Sequence, residues 1–453
     1  MVLDVLKEPV KQLNKQSTPL DFNLFIGYLK SHFSLLPDKR QGNNCVYRIS
    51  DAALSAFSVF FTQSSSFLSH QQHMQETKGK NNAGSLFQVD NIPSDNHIRN
   101  LLDPISPSYL VEIFELGFEY FIQSKHANEY RSVNDTLLIA LDGVCYHSSK
   151  QISCDKCFQR KHKDGSISYS HSAITPVIVA PGNAHVISLM PEFITPQDGD
   201  LKQDSEHKAT KRWLERNALK LKSLNPTILG DDLYSHQPLC EAMLASGCHF
   251  LLVCKPDSHK TLYEVLEERE LEGKINTAIT SWRHGRKKFI NTYRFTNQIP
   301  LREGDDALLV NWCELIVTDL NGKCVYKNTF VTDHLITTEN IEEIIQAGRA
   351  RWKIENENNN ILKTKGYHLS HNFGHGKQFL SQTLFTLNLI AFLMHTLLHL
   401  HDQEYKMIRD KLPTRKTFFD DIRALTRYMY FSDWRQLLQF MMKGLEIEPS
   451  NTS

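Results

Sequence analysis

Three acidic side chains stand where a plain core segment would not need one. Asp142 closes the apolar run LLIALDG, and Asp231, with Asp232 beside it, closes PTILGDDLYS. In each case a carboxylate follows a predicted buried strand abruptly. Neighbouring strands of an α/β sheet present groups for chemistry at their C-terminal ends. Taken singly, either acid also suits a turn or a helix cap. The third acid, Glu355, lies in GRARWKIENENNNILK. On a helix, Ile341, Ile345, Gly348, Trp352 and Glu355 share one face, so Glu355 falls on the stripe predicted to meet the core. A carboxylate there is costly unless paired or metal-bound. Arg351, four residues earlier, can pair with it or grip a phosphate with two hydrogen bonds. Glu357 is the weaker candidate, roughly 200° round the helix from Glu355. Phosphodiester chemistry uses such a set: two metal ions about 3.5–4 Å apart clamp the attacking and leaving oxygens. Mg²⁺ takes hard oxygen ligands, usually a few carboxylates.

Around these acids the chain resembles the DDE transposases of bacterial insertion sequences, whose catalytic domain is RNase H-like. Within that group it resembles the class whose helix signature reads Tyr-x2-Arg-x3-Glu-x6-Lys. The string RWKIE matches at Arg351, Trp352, Ile354 and Glu355, LLIALDG matches the region of the first acid, and GDDLY matches that of the second. This register makes Asp231 the second acid, with Tyr234 three residues on and Asp232 as its neighbour. Two departures place the chain in a divergent branch. The signature Tyr falls at Gly348, and the signature Lys falls at Leu362, with Lys363 one residue later. The resemblance covers roughly residues 136–400. It implies two Mg²⁺ (or Mn²⁺) ions held by Asp142, Asp231 and Glu355, with Asp142 bridging them and Arg351 and Lys363 holding phosphates nearby. It implies hydrolysis at an element end that frees a 3′-hydroxyl, then attack of that hydroxyl on target DNA. The alternatives are a metal-dependent DNA nuclease without strand transfer, and a transposase-derived DNA-binding protein that has lost catalysis.

The elements that must position these residues follow from periodicity and turn chemistry. The expected fold class is α/β: an RNase H-like catalytic domain with a β-rich insertion, an N-terminal helical domain and C-terminal helices. The expected division is 1–133 for helical DNA recognition, 134–375 for catalysis with the insertion at about 275–335, and 376–453 for the C-terminal helices. Apolar spacing predicts helices over Asp51–His70, through Leu54, Phe57, Phe60, Phe61 and Leu68, and over Tyr109–Phe121. Pro93–Pro104 reads as a short helix with Ser94 as N-cap. Glu76–Asp90, polar and rich in Gly and Asn, reads as a loop. Strands are expected at Thr136–Asp142, Thr227–Asp232 and Cys248–Lys255, with a hairpin of Ser172–Ala180 and His185–Met190 about Pro-Gly-Asn. Helices are expected at His207–Leu224 and Pro238–Ala245. In the insertion the strands are Lys288–Phe295, Ala307–Thr318 and Cys324–Thr332, turning at Asn321-Gly322. A long helix begins near Thr338, with Glu339 and Glu342 suited to its first turns.

Other groups carry weaker signals. Cys154-x2-Cys157 with His162 and His171 has the residue types of a zinc site. The spacing is irregular for a finger, and free thiols in a basic loop are the plainer reading. His368, His371 and His375 lie in GYHLSHNFGHGK, which its glycines mark as a loop after the catalytic helix. With Lys377 that loop is a candidate for contact with the DNA backbone. So is the basic run at Arg283, Arg286, Lys287 and Lys288; a solvated hairpin is the equal alternative. Lys208–Arg212 and Arg349–Lys353 are further basic patches.

The bulk composition bounds the partners. Lys plus Arg and Asp plus Glu both number 51, so DNA binding must rest on local patches. The nine cysteines are an odd count spread along the chain and fit free thiols in a reducing compartment. The first residues, MVLDVLKEPVKQLNKQ, lack the apolar core of a signal peptide. Leu384–Leu400 approaches membrane-spanning length, but Asn388, His395 and His399 make a buried soluble helix the better reading. The expected partners are double-stranded DNA, as element terminal repeats and target, and a second copy in a homodimer, with no membrane. The expected location is the bacterial cytoplasm, at the nucleoid.

Overall fold

A computed structural model describes residues 21–40, 45–74, 80–196 and 205–448. The N-terminal stretch scanned for a signal peptide, and the start of the segment expected as a loop at Glu76, lie outside the described residues. The architecture is mixed α/β. The fourteen described strands are β1 Arg131–Ser132, β2 Thr136–Ala140, β3 Gly143–Ser149, β4 Phe158–Lys161, β5 Ile167–Ile174, β6 Val177–Val179, β7 Ile187–Ser188, β8 Glu192–Ile194, β9 Thr227–Gly230, β10 His249–Val253, β11 Asn276–His284, β12 Lys287–Pro300, β13 Leu309–Asp319 and β14 Cys324–Thr332.

One large mixed sheet runs β11-β12-β13-β14-β10-β9-β2-β6-β7, with β1 also on β2. Its centre is parallel: β2 pairs β9, and β9 pairs β10. Strands β2 and β9 are buried along their whole length, as expected of a parallel centre covered on both faces. The β-rich segment continues this sheet rather than standing apart, because β14 pairs antiparallel with β10. It holds one strand that periodicity missed. β11 is exposed at nearly every position, so it shows no alternation to read. The turn at Asn321-Gly322 is present, with Gly322 in the left-handed region (φ 77°). A smaller sheet is built on β5, with β3 on one side and β4 and β8 on the other.

The hairpin about Pro-Gly-Asn is β6 and β7 only. Ser172–Ile174 pairs with β3 and β8 in the smaller sheet, and the chain changes sheets at Thr175-Pro176. Within Glu76–Asp90 a short helix, Asn82–Phe87, replaces the expected loop, capped by Asn81 accepting from the Gly84 amide at 2.6 Å. The Asp51–His70 helix is two, Ile49–Phe61 and Phe67–Met74. All thirteen residues of the first are buried, whereas Leu68 is exposed. His207–Leu224 likewise divides into Glu206–Arg216 and Ala218–Leu224.

The helices of the two ends of the chain pack as one layer. Leu380–His401, long and apolar enough to cross a membrane, is buried from Gln382 to Leu398 and packs against Ile49–Phe61. Asn82 donates to the carbonyls of Thr426 and Met429, and Arg423 to those of Thr62 and Gln63. The boundaries expected at 133 and 375 therefore separate helices that share a core.

Candidate active site

Strands β2 and β9 carry the first two acids at one level. Their parallel register pairs Leu138 with Thr227 and Ala140 with Leu229. Two residues further along each strand, that register brings Asp142 opposite Asp231. Adjacent strands lie about 4.8 Å apart, so both carboxylates leave the same edge of the sheet. The backbone holds them there: the Leu141 amide donates to the Leu229 carbonyl at 2.9 Å, and the Thr175 amide to the Asp142 carbonyl at 3.0 Å.

The two acids of GDD have different surroundings. Asp232 is consumed by the next loop, accepting from the Lys255 amide at 2.6 Å and from the Ser258 hydroxyl. Asp231 accepts only the Leu233 amide, at 2.9 Å, among the described residues. Its charge acts on Asp142, as do those of Glu355 and Glu206.

Glu355 arrives on a helical segment that is not one straight helix. Ile341–Arg349 ends, the chain turns, and Ile354–Asn359 forms a π-helix that leads into Asn360–Thr364. This changes which residues face the core. Trp352, expected on the buried stripe, is exposed at 45%, and the Glu355 side chain is exposed at 52%. Glu355 thus reaches the cluster from its open side, where it pairs with Arg351 at 2.8 Å. Asn359, one turn on, donates its side-chain amide to Oδ2 of Asp142 at 3.0 Å and accepts from Thr175 Oγ1 at 3.2 Å. The charge of Glu357 bears on the buried Lys353, whose ammonium burial holds below its usual range.

Both departures from the signature have packing reasons. A Cβ at Gly348 would lie 2.8–3.0 Å from the Phe330 ring, so the helix presses on β14 where only glycine fits. Leu362 is fully buried, whereas Lys363 is exposed. A π-turn takes one more residue than an α-turn to close. The π-helix Ile354–Asn359 takes up one residue, the same offset by which Lys363 departs from the signature.

Glu206 is the acid that sequence reasoning missed. It opens the helix Glu206–Arg216 behind the Ser205 N-cap, where an acid ordinarily serves only the helix macrodipole. Its Oε1 accepts the Tyr234 hydroxyl at 2.6 Å, and its carboxylate lies against Gly143, where a Cβ would meet Oε2 at 2.6 Å. Tyr234 is fully buried, and its hydroxyl holds Glu206. Burial, then Glu206 and Glu355, push the Asp142 carboxyl up to about 7; Arg351 opposes them, and Asp231 adds to the rise. Four carboxylates against one guanidinium leave an excess of negative charge. Oxygens with that excess are the type hard divalent cations take, though no three of these carboxylates lie within 4.8 Å of one another.

The remaining candidates are dispersed. Arg283, Arg286 and Lys287 are exposed at the β11–β12 turn, with Lys288 half-buried beside them, remote in sequence from the acids. In the loop after Thr364, the amides of Lys377, Gln378 and Leu380 donate to Asp103, which ties that backbone to the helical layer. The expected cysteine–histidine set needs correction. His162 bonds Ser168 Oγ at 2.9 Å, in the β4–β5 turn, and His375 stands in its place beside Cys154, Cys157 and His171. A second group, His249, Asp333 and His334, lies at the opposite end of the parallel strands. There the side chains satisfy one another, Thr227 and Asn134.

No protein-family model matches the chain, and no curated protein matches it.

Proposed function

We propose that the chain is a DNA transposase with an RNase H-like catalytic core, cutting element ends and joining them to target DNA. The observation that carries this is the register of β2 and β9, which ends both strands in an acid at one level, with Glu355 from a distant helix near enough for its charge to act on Asp142. A parallel central pair of strands with acids at one level, an adjacent antiparallel hairpin and a third acid on a following helix support the core assignment.

Asp142, Asp231 and Glu355 would hold two Mg²⁺ or Mn²⁺ ions. When bound, such ions stabilise charge on the attacking and leaving oxygens of a phosphodiester. The chain's own residues do the rest. Asn359 fixes one oxygen of Asp142. Arg351 neutralises Glu355 and is free to turn its remaining donors to a phosphate, and Lys363 adds a charge one helical turn beyond Asn359. Holding substrate and ions in place in this way supplies most of the rate in phosphoryl transfer. The basic turn at Arg283–Lys288 suits the DNA backbone. The helical region up to residue 133 is assigned to the element ends, and the acting species to a homodimer at the nucleoid.

The test is a joining reaction with pre-cleaved candidate ends, a plasmid target and Mg²⁺. A transposase gives strand-transfer products, lost in Asp142→Ala, Asp231→Ala and Glu355→Ala with DNA binding kept. Cleavage of intact ends with no joining of the pre-cleaved ones marks a nuclease, and activity that survives in Asp142→Ala rejects the site.

A further inference from the structure

A second cluster shares no residue with this site. Cys154 and Cys157 sit in the turn between β3 and β4, closed by the Cys157 amide donating to the Cys154 carbonyl at 3.0 Å. His171 lies on β5, and His375 comes from the loop after the catalytic helix, 218 residues from Cys157. The two Sγ atoms are 3.9 Å apart. His171 Nε2 lies 3.5 Å from Cys154 Sγ and 3.4 Å from Cys157 Sγ. His375 Nε2 lies 3.7 Å from Cys157 Sγ. All four atoms fall within 4.8 Å of one another.

These separations are those of a tetrahedron about one ion. With Zn–S of about 2.3 Å and Zn–N of about 2.0–2.1 Å, tetrahedral edges are about 3.8 Å between sulfurs and about 3.5 Å between sulfur and nitrogen. Both thiols are free. Nor do outside acceptors aim the rings at the thiols: Nδ1 of His171 and of His375 has no hydrogen-bonding partner among the described residues. The rings are gripped by aromatic faces instead, Tyr146 parallel to His171 at 5.8 Å and His147 against His375 at 4.4 Å. The site is largely enclosed: Cys157, His171 and His375 are all under 9% exposed, and Cys154 is partly exposed.

We propose that Cys154, Cys157, His171 and His375 bind one structural zinc ion that staples the loop following the catalytic helix to the smaller sheet. The two ends it joins both lead to the acid site. β3 begins at Gly143, next to Asp142, and the His375 loop follows the segment bearing Glu355 and Lys363. The zinc fixes one neighbour of each, and it takes no part in the phosphodiester chemistry.

The test is metal analysis of the full-length chain, purified without an affinity histidine tag, together with Co²⁺ substitution. One zinc per chain is expected, and the Co²⁺ form should show the intense visible bands of tetrahedral thiolate ligation. His375→Ala and Cys157→Ser should each lower zinc at least tenfold, while His162→Ala and Asp142→Ala keep it. Since Cys157→Ser is exposed to misfolding, the Co²⁺ spectrum of the wild-type chain is the independent arm. A chain with its thiols reduced that carries no zinc and shows no visible bands with Co²⁺ overturns the site. Full zinc in His375→Ala overturns this ligand set. Because Asp142→Ala is expected to keep zinc, failure of the transposase assignment and failure of the zinc site are read separately.

Discussion

The side-chain amide of Asn359 donates to Oδ2 of Asp142 at 3.0 Å, joining residues 217 apart in the chain. Asn359 sits one turn beyond Glu355, so this bond fixes the third acid's helix to the first acid's strand. Removing a partner that orients a metal-binding carboxylate typically costs about 10–100-fold in metal affinity or activity. Asn359→Ala is expected to lower the Mg²⁺-dependent cleavage rate by roughly that factor, with DNA affinity unchanged in a gel-shift assay.

The acids also set a pH dependence in the metal-free protein. Asp142 titrates near 7 in the folded chain against its ordinary 3.8, chiefly through burial and then Glu206. Its folded value lies above the unfolded one, so the folded state binds the proton more tightly between these limits. Stability from this group is therefore fully present below pH 3.8, falls as pH rises through the window, and is lost above about 7. In EDTA, Asp142→Asn should melt higher than the wild-type chain at pH 8 and close to it at acid pH. Glu206→Gln removes the strongest charge raising that proton's affinity, and should move the wild-type fall to lower pH. Melting curves across pH 5–8 decide both.

Gly348 lies where the signature places tyrosine, pressed on the Phe330 ring with no room for a Cβ. Overpacking of this kind typically costs about 1–3 kcal/mol. Gly348→Ala should destabilise by about that amount, and Gly348→Tyr by more. Chemical denaturation measures it. A tyrosine accepted without loss would mean that the helix does not bear on Phe330.

Lys363, not position 362, should carry the signature lysine's charge. Lys363→Ala is expected to weaken binding to DNA ends and to reduce the salt slope by about one unit, the signature of one lost phosphate contact. Leu362→Lys would place a charge in the core and should cost solubility before it affects DNA binding.

Much of the frame around the acids was legible because two of them end apolar strands and the third sits in a compact motif. Periodicity could not show the π-helix, since one wide turn leaves no mark on composition, and so it misplaced Trp352 and put Glu355 on the buried stripe. Glu206 was hidden by its ordinary place behind a Ser N-cap. His375 was hidden by distance, since its cluster forms only when the loop after Thr364 folds back over β5. The fused terminal helices were illegible for a similar reason. The contacts of Asn82 with Thr426 and Met429 join segments that no local pattern relates.

Anomalous scattering from crystals equilibrated with Mn²⁺ tests the shared acid site most directly. The prediction is manganese density with carboxylate oxygens of Asp142, Asp231 and Glu355 all within about 2.0–2.3 Å of the ions. Manganese bound elsewhere, or held by one of these acids while the other two point away, would contradict it.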